Sequence, residues 1–127
     1  MYHDPMRRPK YLNLLEIRQP LPAVLSILHR ISGAGLFLML PLLIWALQLS
    51  LGSPEGYEDV RSAAGNPIAR LPLLVLLWAS LHHFCAGLRA LLLDIHVGVE
   101  KAQALVSAWV VLAASLLLTA VLGARLW

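Results

Sequence analysis

Trp78-Ala79-Ser80-Leu81-His82-His83-Phe84-Cys85-Ala86-Gly87-Leu88-Arg89-Ala90-Leu91-Leu92-Leu93-Asp94 is the stretch on which the fold turns. The window 71–88 holds no Asp, Glu, Lys or Arg, and the windows 31–54 and 102–124 hold none either. A helix that crosses a bilayer needs roughly 20 mostly apolar residues. Each window is long enough. A helix of a water-soluble bundle sets a charged face against an apolar one, and none of these does. The chain therefore reads as an all-α membrane protein with three transmembrane helices, at about residues 22–50, 68–93 and 102–124. These make one membrane-anchor domain over 1–127, with residues 1–21 as an N-terminal segment outside the membrane.

Ionisable groups at membrane depth are costly and usually functional, so His82 and His83 carry the functional argument. An α-helix turns about 100° per residue, which puts i±3, i±4 and i+7 on one face. For His83 those neighbours are Ala79, Ser80, Ala86, Gly87 and Ala90, all small. Its imidazole stands over a shallow trough in which a flat, bulky ligand fits. His82 faces Trp78, Ala79, Cys85, Ala86 and Arg89, a more crowded side. Adjacent side chains point about 100° apart, so one metal does not easily take both. His83 is the expected haem iron ligand and His82 is not.

Of the 127 residues, 59% are hydrophobic, against about 45–50% apolar in ordinary soluble proteins. Residues 1–22 mix charges of both signs with four prolines, which is not the pattern of a cleavable signal peptide. The single cysteine, Cys85, excludes an internal disulfide and is expected to pack within its helix. Seven of the ten Lys and Arg residues fall in the N-terminal segment, at the start of the first span and around the connection after the second. The positive-inside rule then places the N-terminus in the cytoplasm. That bias accounts for the net charge of +3. No basic–aromatic surface of the nucleic-acid type is present.

The first span opens with Ser26-Ile27-Leu28-His29-Arg30-Ile31-Ser32-Gly33-Ala34-Gly35. Ser26, Arg30 and Gly33 share a face, and His29 stands one step round, over Ser32 and Gly33. A hydroxyl, a guanidinium and an imidazole thus gather near the cytoplasmic boundary, beside glycines that permit close approach. The bland alternative is that Arg30 snorkels to lipid headgroups and Ser26 bonds back to its own helix. Pro41 is expected to kink the span. Tyr11–Ile17 reads as a short surface helix, and residues 57–61 as a short helical turn on the outer side. Asp94, about 20° from the face of His83, is either a proton-path group or an exposed carboxylate ending its helix. His96 is expected to be solvated.

Residue chemistry alone leaves two readings. One is a haem-carrying membrane subunit, with His83 as one axial ligand. His29 lies near the boundary and is a possible second ligand, but its place beside Arg30 suits haem propionates better, since arginine forks match carboxylates. The second axial ligand then belongs to another chain. The other reading is a cofactor-free anchor whose histidines bond between helices.

Two motifs bear on that choice. Ser26-Ile27-Leu28-His29-Arg30-Ile31-Ser32-Gly33 resembles the first signature of the cytochrome b membrane-anchor subunits of succinate dehydrogenase. His83-x3-Gly87-x-Arg89-x4-Asp94 resembles the second. The segments Tyr11-Leu12-Asn13-Leu14 to Pro20 and Ser53-Pro54-Glu55-Gly56-Tyr57 are similar to the enterobacterial form, and the likeness covers nearly the whole chain. Many members have histidine where this chain has Ala90, a position that is not the usual ligand in that form.

The resemblance implies one haem b shared with a second, separate three-helix membrane anchor subunit, which supplies the other axial histidine. His83 matches the ligand position. His29 and Arg30 match positions near the propionates, and Ser26 and Arg30 match positions at the quinone. It also implies an iron–sulfur subunit and a flavoprotein subunit docked on the cytoplasmic face of a bacterial inner membrane. Succinate is then oxidised at the flavin, and electrons reach ubiquinone or menaquinone at the membrane edge. Ser26 would orient a quinone carbonyl, and Arg30 would stabilise negative charge developing on its oxygen. The rival anchors are that of a fumarate reductase, which runs the same chemistry in reverse, and the cofactor-free scaffold.

Overall fold

The computed structural model describes residue 13 and residues 16–126, and it is helical almost throughout. Four helices follow one another: α1 Leu21–Gly52, α2 Pro54–Gly65, α3 Pro67–Asp94 and α4 Lys101–Leu126. Three of them, α1, α3 and α4, are long and apolar enough to cross a membrane. They bracket the expected spans to within a residue or two at each end. The protein is a multi-pass helical membrane protein. At about 1.5 Å per residue, the 32 residues of α1 reach about 48 Å. That exceeds the roughly 30 Å of hydrocarbon in a bilayer, so α1 extends beyond the apolar core.

The connection between the first two spans is more ordered than the expected short turn: residues 54–65 form a full helix. Single residues join it to its neighbours, and both junctions use the same local chemistry. Ser53 Oγ accepts a hydrogen bond from the Gly56 amide at 3.0 Å, and Asn66 Oδ1 accepts one from the Ile68 amide at 2.9 Å. Each cap satisfies an amide that has no partner within its helix. Proline follows each cap, at the first helical position, where its missing N–H is not needed. Gly56 is buried against the Leu49 carbonyl of α1, so α2 seats closely on the end of that helix. Pro41 lies inside α1 and Pro72 inside α3, and both helices continue through them.

Most of the expected Tyr11–Ile17 surface helix lies outside the described residues. Of it, the Glu16 and Ile17 amides donate to the Asn13 carbonyl, at 3.1 and 3.2 Å.

The connection between α3 and α4 ends α3 differently. The Val97 amide bonds the Leu92 carbonyl at 2.9 Å and the His96 amide bonds the Leu93 carbonyl at 3.0 Å. This crossed pair is the Schellman arrangement, which requires a left-handed residue at the first position past the cap. Here that residue is His96, at φ 64°, and it is exposed as expected. A side chain in this region is strained by roughly 1–2 kcal/mol relative to glycine. His96→Gly is therefore expected to raise stability by about 1 kcal/mol, after the added chain entropy of glycine is set against it. A thermal or detergent unfolding midpoint checks this, and a lower midpoint counts against it.

The core is small and runs between the three long helices. Leu25 of α1, Ala86 of α3 and Ala108 and Val111 of α4 are buried, with Leu21, Cys85 and Leu112 packed on them. Along α4, the buried positions Ala108, Val111, Ser115 and Gly123 form a stripe of mostly small residues, which allows helices to approach within a membrane. Arg89 ties α3 to α4: its Nε donates to Ser107 Oγ at 2.9 Å and its guanidinium also donates to the Ala104 carbonyl at 3.1 Å. The outward faces are strongly apolar, with Phe37, Leu38, Trp45, Leu51, Ile68 and Leu117 each more than half exposed. Apolar surface on that scale belongs against lipid or another membrane chain.

Candidate functional site

The site forms where α1 and α3 run antiparallel. Both helices carry a histidine followed four residues later by a glycine: His29 with Gly33, and His83 with Gly87. Antiparallel packing sets each imidazole against the other helix's glycine. A Cβ placed on Gly33 would meet His83 Cε1 at 2.7 Å, and one on Gly87 would lie 3.6 Å from His29 Nε2. Between these contacts the two rings stack, with centroids 4.4 Å apart and planes 29° from parallel.

His29 therefore stands level with His83 along the helix pair, a register that the sequence of either helix does not give. Stacked rings lie side by side, whereas two axial ligands approach one iron from opposite sides, end-on. In this arrangement His29 does not serve as the second axial ligand opposite His83.

The hydrogen bonds of His83 set its chemistry. Its Nδ1 lies 3.1 Å from the backbone carbonyl of His29. A carbonyl only accepts, so Nδ1 carries the proton and Nε2 keeps its lone pair. Nε2 has no hydrogen-bond partner among the described residues. An imidazole whose Nδ1–H is held by a backbone carbonyl is the usual metal-binding form, because that bond fixes both the tautomer and the ring orientation. The residue types and this tautomer fit an axial haem ligand.

The expected trough beside His83 is occupied differently. Gly87 lies under His29, and Ala86 is buried in the core, leaving Ser80 as the exposed member of the set. Small residues admit whatever packs closest, and here that is α1 itself over much of the stripe. Ser80 Oγ donates to the Leu76 carbonyl of its own helix at 2.9 Å.

Ser26 and Arg30 are exposed on α1, and neither makes a hydrogen bond to a described residue. Their side chains are not committed to this chain's own fold. His82 is the opposite case. It is fully buried, stacks on Trp78 with centroids 5.1 Å apart, and has no partner at either ring nitrogen. It occupies the protein interior on a different side of α3 from His83. Asp94 is exposed at the end of α3, without an ion pair among the described residues. No group of three or more His, Cys, Asp or Glu side chains suited to a metal ion occurs among the described residues.

Two features stand out only in three dimensions. Ser32, buried between the helices, places Oγ 2.9 Å from the His29 carbonyl and 3.3 Å from His83 Nδ1. Its spacing of three residues from His29 is visible in the sequence, but its reach to α3 is not. A cavity of about 690 Å³ lies between α3 and α4, lined by Arg70, Leu74, Trp78, Thr119 and Gly123. None of Ser26, His29, Arg30 and His83 lines it.

Comparison with known proteins gives a consistent result. Residues 4–122 match the family described as "Succinate dehydrogenase/Fumarate reductase transmembrane subunit". The chain is 32% identical over 122 residues to the succinate dehydrogenase cytochrome b556 subunit of Coxiella burnetii, covering 95% of this chain and 98% of that protein. It is 31% identical over 116 residues to that of Rickettsia typhi, with 91% and 90% covered. It is 32% identical over 111 residues to that of Paracoccus denitrificans, with 87% and 85% covered.

Proposed function

The chain belongs to the succinate dehydrogenase/fumarate reductase transmembrane subunit family, and on that premise we propose that it is the haem b-binding anchor of a succinate:quinone oxidoreductase. Its relatives carry the name cytochrome b556 subunit, which agrees with a b-type haem. One observation carries the proposal: the His29 carbonyl lies 3.1 Å from His83 Nδ1, a contact that favours the tautomer with its proton on Nδ1 and its lone pair on Nε2. Bound there, the haem supplies a one-electron carrier whose potential depends on its axial ligands and surroundings.

This chain's residues then have separate tasks. His83 would hold the iron, and a second membrane anchor would supply the other ligand. His29, stacked on His83, and Arg30 face the propionates, where a guanidinium is suited to pairing a carboxylate. Ser26 orients a quinone carbonyl. Arg30 stabilises negative charge as it develops on the quinone oxygen, the role of preorganised donors at a developing oxyanion. The exposed, uncommitted side chains of Ser26 and Arg30 support this assignment. The iron–sulfur and flavoprotein subunits dock on the cytoplasmic face, with the N-terminus of this chain on that side of the inner membrane.

The test is a split between two activities of the assembled complex. Ser26→Ala and Arg30→Ala are each expected to lower quinone reduction by roughly 100- to 1,000-fold, the loss of one well-placed donor. Succinate oxidation with an artificial dye should stay near wild type. Equal loss of both activities would mean that the substitutions disturb assembly and not a quinone site.

A further inference from the structure

We propose that Ser32 is a positioning residue that shares the Nδ1 proton of His83 with the His29 carbonyl, and so biases the bound iron toward its oxidised state. The proposal rests on the reading of His83 as the axial ligand.

Ser32 is 6% exposed, between α1 and α3. Its hydroxyl has one proton, and the 2.9 Å contact commits that proton to the His29 carbonyl. Toward His83 Nδ1, 3.3 Å away, the same oxygen has only lone pairs to offer. The carbonyl itself lies 3.1 Å from Nδ1. The Nδ1–H therefore points at two acceptors, and the three heavy atoms close a triangle across the helix interface.

Many serines in membrane helices simply bond back to their own backbone. Ser50 and Ser115 do so here, to the Leu47 carbonyl at 2.8 Å and the Leu112 carbonyl at 3.0 Å. Ser32 makes the same bond at the same spacing. What sets it apart is a second contact, to the ring nitrogen of a histidine 51 residues away.

The consequence follows from imidazole chemistry. Drawing the Nδ1 proton toward acceptors raises the basicity of Nε2. A more basic nitrogen stabilises ferric over ferrous iron. Two acceptors also pin the ring's rotation about its own axis, where one alone leaves freedom to turn.

The experiment uses the assembled complex with Ser32→Ala and Ser32→Thr. Redox titration of the haem spectrum and low-temperature electron paramagnetic resonance are the readouts. Ser32→Ala should keep the haem and its low-spin spectrum. At a fixed ambient potential the ferric-to-ferrous ratio should fall about fivefold, the worth of one ordinary hydrogen bond, and the g-values should move as the ring turns. Ser32→Thr, which keeps the hydroxyl, should restore both. If alanine blocks assembly, Ser32→Cys, near in size and a weak acceptor, should shift the ratio in the same direction. An unchanged titration and unchanged g-values in the assembled variants overturn the proposal. A wild-type spectrum in His83→Ala instead overturns the ligand reading on which it rests, so the two failures are distinguishable.

Discussion

Replacing His83 by alanine is expected to abolish the low-spin haem spectrum of the assembled complex. Among the described residues, His83 presents a ring nitrogen with its tautomer already set by a backbone carbonyl. His29 is stacked beside it and is not placed to take over. The control is His82, one residue away. It is fully buried with both nitrogens unpartnered, and a buried polar atom without a partner costs about 1–3 kcal/mol. His82→Phe removes two such atoms at similar volume. It should leave the spectrum intact and the fold no less stable. A haem spectrum that survives His83→Ala but vanishes in His82→Phe would mean that the neighbouring histidine is the ligand.

Gly33→Ala should come close to that effect without replacing any polar group. The added methyl would lie 2.7 Å from His83 Cε1 and 3.2 Å from Nδ1. A retreat of the ring disturbs its bond to the His29 carbonyl and its stack on His29. Overpacking of this kind costs about 1–3 kcal/mol, or on the order of ten- to a hundredfold in haem retention. Gly87→Ala is the matched comparison, because its methyl meets His29 Nε2 at 3.6 Å, an ordinary contact. Alanine is also the better helix former by nearly 1 kcal/mol. Gly87→Ala should therefore be neutral or mildly stabilising, with haem content near wild type. Equal behaviour of the two variants, measured as haem per assembled complex, would remove the basis for the claimed asymmetry.

What is local in this protein can be read from its residues, and what depends on helix packing cannot. The three spans are legible because a charge-free window of bilayer length fits little besides a spanning helix. The helical caps at Ser53-Pro54 and Asn66-Pro67 are local chemistry, and the breaks before and after α2 follow from them. That α2 is a complete helix depends on its seat against the Leu49 carbonyl, which no periodicity reveals. The preference for His83 over His82 rests on its small-residue face, and the two variants above test it. The small residues did not disclose what fills that face, since alanine and glycine accept a ligand and a helix equally well. His29 at the depth of His83, and Ser32 within reach of it, are facts of how α1 sits against α3. Neither is encoded in either segment alone. Arg89 was visible as a boundary cation, but its tie to Ser107 and Ala104 required α4 to be in place.

The paired imidazole–glycine contacts also constrain how the two helices move. A slide of one turn, about 5.4 Å, would drive both rings off their glycines onto positions bearing side chains, and would do so at both contacts together. Shear between α1 and α3 is thereby blocked in either direction, while hinging apart at their far ends meets no such obstacle. Whatever rocking the bilayer imposes, the vertical alignment of His29 with His83 is the coordinate held most stiffly.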